Sequence, residues 1–176
     1  MLIVGIDPSL SQTAMVIGSS ASEFSVTLHK TKCQGDAVAD RCRRYEVLVA
    51  DVMRVLDPLR QAGETIRIFL EGYSFNSKFG GERLGEYGGI LRWHLVDCDP
   101  LLTEVAPASL KKFVVGKGGA KKEMMLLKCF ANWQYEAKGN DDADAFGLFR
   151  LGLCACGVDA PQNVAQREVL AKMQGA

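Results

Sequence analysis

The sequence predicts one α/β domain in which helices flank a five-stranded mixed sheet. Two patterns indicate this fold. Three short strand-like segments at the amino terminus are joined by turn residues, as in an antiparallel meander. Helical and strand-like segments then alternate, which favours parallel strands connected by helices. The length of 176 residues fits a single domain with a core of its own.

The first three strands follow from local hydrophobic patterns. Two apolar runs end at turn residues, the first of them at Asp7 and Pro8. The third segment alternates apolar and polar side chains, which is the period of a half-buried strand. Because only short turns separate them, we expect antiparallel pairing. The three strands are predicted over residues 2–6, 13–17 and 24–28.

A long helix follows, in which apolar residues from Val38 to Leu56 recur in steps of three and four. Asp36 is expected to cap this helix, and Pro58 and Gly63 are expected to end it. Later strands are predicted over residues 66–70 and 101–105, and later helices over residues 82–95, 107–113, 121–133 and 141–154. We therefore expect a domain of residues 1–156, followed at 157–176 by a polar tail or peripheral helix.

Composition excludes several classes of protein. The chain carries 21 basic and 21 acidic residues, so it is not a globally basic nucleic-acid binder. No apolar run approaches the roughly 18 residues that span a bilayer, and no secretory signal is recognisable. We therefore expect a cytoplasmic protein without a membrane partner, and reduced, mostly buried cysteines. No glycine-rich nucleotide motif is present, so no nucleotide cofactor is expected.

Four carboxylates stand out by their positions. Asp7 and Glu71 each end an apolar strand, and Asp141 and Asp144 lie three residues apart at the start of the last strong helix. If the two strands are neighbours, Asp7 and Glu71 lie side by side, and a helix packed across that end adds the other pair. Any one of these acids alone is more often a turn or capping residue than a catalytic one, but the four together are a more specific signal.

Crowded carboxylates repel one another, and divalent cations relieve that repulsion. Hard oxygen ligands with room for substrate oxygens suit Mg²⁺. Two such ions about 4 Å apart can promote phosphodiester hydrolysis. The four acids together therefore predict a two-metal site.

A basic segment lies between residues 108 and 128, where six lysines accompany a single acid, Glu123. This local excess indicates a phosphate-binding edge, although an ordinary solvated face explains it as well. The loop after Glu71 is rich in glycine and contains Tyr73, Phe75 and Phe79. These aromatic rings could stack on unpaired bases, fold onto the core or form a dimer contact. The lysines of the basic segment are Lys111, Lys112, Lys117, Lys121, Lys122 and Lys128; all but Lys128 are predicted to contact nucleic acid, together with Tyr73 and Phe75.

Four segments, in order and spacing, resemble the RuvC family of Holliday junction resolvases across roughly residues 1–155. They are GIDPSL at 5–10, FLE at 69–71, PASLKKFVVGKG at 107–118 and DDADAF at 141–146. The resemblance implies an RNase H-like fold and maps the family's catalytic and metal-binding acids onto Asp7, Glu71, Asp141 and Asp144. It implies two Mg²⁺ ions per site, for which Mn²⁺ substitutes.

The resemblance also implies a homodimer that nicks two opposed strands of a four-way DNA junction. It carries Lys111 and Lys122 over as DNA contacts and places a DNA-contacting aromatic near Phe75. Ser9 replaces the family's usual glycine, and the loop after Glu71 is unusually aromatic. Such divergence leaves cleavage of forks or flaps as an alternative.

An actin-like ATPase-related domain begins with a similar strand and turn, but it needs a second lobe for which this length leaves no room. For the homodimer, residues 82–95 are the predicted interface. Three glycines in that helix would allow close approach of a partner helix. Its apolar set is too broad for one core stripe and comprises Leu84, Tyr87, Ile90, Leu91, Trp93 and Leu95.

Overall fold

The computed structural model describes residues 1–73 and 81–174. Within them, the strands are β1 (Leu2–Asp7), β2 (Gln12–Gly18), β3 (Phe24–Lys30), β4 (Ile66–Glu71) and β5 (Thr103–Val105). The helices are α1 (Val38–Gln61), α2 (Gly81–Leu95), α3 (Pro107–Val115), α4 (Glu123–Trp133), α5 (Asn140–Ala155) and α6 (Val164–Gln174). Each predicted element is present, with ends that differ by a few residues.

The sheet has the order β3-β2-β1-β4-β5. The first three strands pair antiparallel, β1 with β2 and β2 with β3. The other pairs, β1 with β4 and β4 with β5, are parallel. This arrangement confirms the predicted mixed sheet, and it makes β1 and β4 neighbours.

The sheet separates two hydrophobic cores because successive side chains of a strand point to opposite faces. Ile3 of β1 lies in the core formed with α5, whereas Val4 and Ile6 lie in the core formed with α1 and α2. Helix α5 packs directly over β1 and is buried along most of its length.

Gly5 permits this close packing. A Cβ atom there would lie 2.3 Å from the carbonyl oxygen of Ala145 and 2.4 Å from the backbone nitrogen of Phe149. Any side chain at this position would push α5 away from the sheet. The glycine therefore sets the distance between the carboxyl end of β1 and the first turn of α5.

Helix α1 differs from its prediction at both ends. It begins at Val38 with Ala37 at the N-cap and no side-chain cap, so Asp36 does not cap it. The predicted stop at Pro58 is wrong, because the helix continues to Gln61. Pro58 lies in the last turn, where the loss of one backbone donor is tolerated. Gly63, two residues after the end of the helix, has a φ of 79° and closes the turn that follows it.

Helix α2 divides its apolar residues between two faces. Tyr87, Leu91 and Leu95 are buried in the protein's own core. Ile90 is 42% exposed and Trp93 is 76% exposed. Only the second set is available to a partner, so the interface predicted for α2 reduces to its exposed face.

Helix α6 packs against the core that contains α5, into which it inserts Val169 and Leu170. The boundary proposed at residue 156 stays a prediction. All six cysteines are free, but only Cys129 is fully buried, so the expectation of mostly buried thiols is wrong. None of the helices in the described residues combines the length and the apolar character needed to cross a membrane.

Candidate active site

Two acids meet at the carboxyl ends of β1 and β4. Ile6 pairs with Leu70 in the parallel register, so the next residues, Asp7 and Glu71, lie level with each other. Strand alternation turns both side chains toward the face covered by α5. Asp7 is buried, with 5% of its surface exposed, and Glu71 is half-buried.

Helix α5 adds its first turn to this end of the sheet. One carboxylate oxygen from each of Asp7, Glu71 and Asp144 lies within 4.8 Å of the others. Asp141 lies outside this trio but is near enough for its charge to raise the pKa of Asp7, Glu71 and Asp144. The structure therefore brings all four predicted acids to one place, three of them in a tight cluster.

Asp142, which the prediction left out of the site, faces away from the cluster. It is buried, and its carboxylate accepts hydrogen bonds from the Tyr135 hydroxyl and, at 2.7 Å, from the backbone nitrogen of Lys138. Adjacent residues of a helix point about 100° apart, which explains why Asp141 and Asp142 have different surroundings. Asp142 anchors the start of α5 to the segment before it.

Burial and crowding make the cluster unfavourable for negative charge. Burial, followed by the charges of Glu71 and Asp144, raises the pKa of Asp7 well above its ordinary value. Burial likewise raises the pKa of Asp144 to about 7, with the Glu71 charge contributing. A hydrogen bond between Asp7 and Glu71 favours a proton on Asp7, although burial still raises the pKa of Glu71.

The donor set fits a divalent cation. Clustered carboxylate oxygens are the hard ligands that Mg²⁺ and Mn²⁺ take, and the positive charge of an ion would offset the repulsion that raises these pKa values. The arrangement can therefore hold metal beside a substrate phosphate.

Two of the predicted lysines lie near this cluster. The charges of Lys122, just before α4, and Lys111, on α3, lower the pKa values of Glu71 and Asp144 against the effect of burial. Lys112 is the next residue on α3 and points elsewhere, with its ammonium 2.8 Å from Glu168 of α6.

The other two lysines predicted to bind DNA are exposed on the surface. Lys117 follows the end of α3, and Lys121 lies just before α4. Both belong to the segment that connects these two helices.

Tyr73 lies against α2 and is half-buried. Its hydroxyl donates a hydrogen bond of 3.4 Å to the carbonyl oxygen of Gly85, and the Arg92 guanidinium carbon lies 4.1 Å from its ring centroid. One face of the ring is therefore already covered, which leaves at most the other face for a base. Phe75 and Phe79 lie outside the described residues.

Sequence reasoning missed Arg92 and Glu104, which form a bidentate ion pair beside Glu71. They are twelve residues apart, on α2 and β5, and no local spacing links them. An arginine among the apolar residues of α2 was the only signal.

A mixed sheet of this order, with acids at the ends of β1 and β4 and on the helix across them, is the RNase H-like fold with a candidate nuclease centre. Residues 3–149 match the family described as crossover junction endodeoxyribonuclease RuvC. The chain belongs to the RuvC family.

Individual relatives with the same family name are similar to this chain over most of its length. A RuvC crossover junction endodeoxyribonuclease from Chlorobium phaeobacteroides is 27% identical over 175 residues, covering 94% of this chain and 88% of the relative. One from Ruegeria pomeroyi is 29% identical over 180 residues, covering 97% and 100%.

Solved structures share the fold. The structure of Thermus thermophilus RuvC matches with a TM-score of 0.60 at 16% identity, and the match covers 99% of this chain and 97% of the T. thermophilus chain. T. thermophilus RuvC in complex with a Holliday junction substrate has a TM-score of 0.57 at 17% identity, with coverages of 85% and 90%.

Proposed function

We propose that this chain is a Mg²⁺-dependent, structure-selective endodeoxyribonuclease that resolves Holliday junctions by paired nicking. The observation that carries the proposal is the cluster of Asp7, Glu71 and Asp144 within 4.8 Å in a chain of this family. Relatives named crossover junction endodeoxyribonuclease support the reaction, and the structural relative solved with a junction supports the substrate.

Asp7 would be shared by two metal ions, because it is the most buried of the four site acids and contributes an oxygen to the tight cluster with Glu71 and Asp144. Glu71, Asp141 and Asp144 would complete the two sites. Bound Mg²⁺, or Mn²⁺ in its place, supplies an acidified water and stabilises charge on phosphate oxygens. The protein's part is to hold the four carboxylates in place, and the charges of Lys111 and Lys122 favour the ionised forms of Glu71 and Asp144.

DNA would approach along the lysine-rich segment. Lys111 and Lys122 lie near the acids and would hold the backbone beside the scissile phosphate, with Lys117 and Lys121 extending the contact outward. Lys112 is already paired with Glu168, so a phosphate would have to displace that carboxylate. We expect Lys112 to contribute less than its neighbours.

A homodimer would supply the second active site. A four-way junction offers two equivalent strands, and a two-fold protein matches that symmetry. The exposed face of α2 carries Ile90, Trp93 and, just beyond the helix, Val96. Beside it, a groove of about 450 Å³ between α1 and α2 is lined by apolar residues that include Val49 and Met53, and also by the acidic residues Glu46 and Asp57. We propose this face as the contact between protomers.

Cleavage of a substrate panel tests the proposal. End-labelled four-way junctions, forks, flaps and linear duplexes of matched sequence would be incubated with the purified protein, with Mg²⁺ or with EDTA. We expect symmetric nicks in the four-way junction with Mg²⁺ and none with EDTA. Faster cutting of forks or flaps would favour the debranching alternative. Failure to cut every branched substrate with Mg²⁺ or Mn²⁺ would reject the proposed activity.

A further inference from the structure

We propose that Arg92 is a positioning residue for Glu71, holding the end of β4 so that the Glu71 carboxylate faces the other acids. The proposal rests on the proposed function, since it takes Glu71 to be a metal ligand. Arg92 itself does not reach the carboxylate cluster. It acts on the backbone and on the residues that follow Glu71.

All three nitrogens of the Arg92 guanidinium donate hydrogen bonds. Its Nε and Nη2 atoms donate to the two carboxylate oxygens of Glu104, at 2.7 and 3.1 Å. Nη1 donates to the carbonyl oxygen of Gly88 at 3.0 Å, and Nη2 also donates to the carbonyl oxygen of Glu71 at 3.5 Å. Because Glu104 pairs with Leu70 in the sheet, one side chain joins α2, β4 and β5.

The same guanidinium holds the residue two beyond Glu71. It covers the ring of Tyr73, whose hydroxyl donates to the Gly85 carbonyl. Gly88 leaves room for both side chains, because a Cβ atom there would lie 2.6 Å from the Tyr73 hydroxyl oxygen and 2.7 Å from Nη1 of Arg92. The sequence at this point is therefore adapted to the contact.

The position of Glu71 explains why such support is needed. Glu71 is the last residue of β4. Within the residues that the structure describes, the last backbone hydrogen bond from this strand end to β5 is the one that the Gly72 nitrogen donates to the Val105 oxygen, at 2.8 Å. Glu71 is half-buried at this open end of the strand, so its position depends on contacts with the neighbouring elements. Arg92 contacts the Glu71 carbonyl oxygen and the Tyr73 ring and, through Glu104, the strand that pairs with Leu70, which limits movement of this strand end.

If Arg92 and Glu104 were only a structural ion pair, they would stabilise the fold without affecting the affinity for metal. The experiment therefore compares Arg92→Lys, Arg92→Ala and Glu104→Gln with wild type by Mn²⁺ titration, following free Mn²⁺ by electron paramagnetic resonance. Thermal unfolding and cleavage of a four-way junction are measured on the same samples. Arg83→Ala is the matched control, because Arg83 also lies on α2 but pairs with Asp36, at 2.6 Å.

We expect Arg92→Lys to stay folded but to bind Mn²⁺ about tenfold more weakly, because lysine cannot form the two-pronged contact while covering the ring. Cleavage should need correspondingly more metal, and Arg83→Ala should match wild type. The double variant Arg92→Ala/Glu104→Gln should lose no more Mn²⁺ affinity than the more affected of the two single variants, since the two side chains act as one unit.

Wild-type Mn²⁺ affinity in the folded Arg92 variants would overturn the proposal. If those variants do not fold, Glu104→Gln decides, and unchanged Mn²⁺ affinity in it would overturn the proposal equally. Failure of the wild-type protein to cut branched DNA while it binds Mn²⁺ would instead reject the proposed function. The two failures are therefore distinguishable.

Discussion

Replacement of Gly5 by alanine should disturb the acidic cluster by forcing β1 and α5 apart. The new methyl group would lie 2.3 Å from the carbonyl oxygen of Ala145, about 1.1 Å closer than ordinary contact. The clash is with backbone, so no side chain can rotate away, and α5 must retreat from β1. Asp144 would move with the helix, away from Asp7.

Overpacking of this kind costs about 1–3 kcal/mol, which for a chain of this size lowers Tm by roughly 2–12 °C. A displacement of about 1 Å at a catalytic group costs on the order of 100-fold in rate. Differential scanning calorimetry and cleavage of a four-way junction measure the two effects. Gly119→Ala is the control for the Tm measurement, because a Cβ atom there meets nothing within 4 Å. Wild-type Tm and rate in Gly5→Ala would refute the reasoning.

Three further predictions concern DNA, assembly and pH. Lys111→Ala and Lys122→Ala should each weaken junction binding in all sequences and lower the log–log salt slope by up to about 0.9, unlike exposed Lys172→Ala. Trp93→Glu should give a folded monomer in sedimentation equilibrium, because this side chain is 76% exposed in the protomer. Burial raises the pKa of Asp144 from 3.8 to about 7, so the folded state holds a proton that the unfolded chain has lost. The metal-free protein should therefore lose stability in denaturant titrations as pH rises from about 4 to 7, and Mg²⁺ should restore it at pH 8.

Each of these has a contrary outcome. Unchanged affinity and salt slope in both lysine variants would mean that the basic segment is only a solvated face. A Trp93→Glu protein that still sediments as a dimer would move the interface away from α2. Constant stability between pH 4 and 7 would show that Asp144 keeps its ordinary pKa in the folded protein.

Most of the sheet and the four acids could be predicted because their signals are local. The apolar run before Asp7 and the run before Glu71 each reveal a buried strand and the point where it ends. Parallel pairing of β1 and β4 then places the two acids together, as the register confirms. The three-residue spacing of Asp141 and Asp144 places them on one turn of α5.

The errors concern features that depend on distant partners. Helix α2 shows one broad apolar pattern, and only packing reveals that Leu91 faces the core whereas Trp93 faces outward. For Tyr73, DNA stacking stays a prediction for one face of the ring, because contact with Arg92, nineteen residues further along the chain, covers the other face. Pro58 marks a helix end in isolation, yet the last turn of α1 tolerates it.

The central claim is that the acidic cluster is the metal-dependent catalytic centre, and Asp7→Asn tests it most directly. Asparagine keeps the size of the side chain and removes one of the crowded charges, so we expect unchanged folding and an unchanged Kd for a four-way junction in Ca²⁺. The single-turnover nicking rate in Mg²⁺ should fall by orders of magnitude, because the shared metal ligand is lost. Nicking at the wild-type rate by pure, folded Asp7→Asn protein would contradict the account.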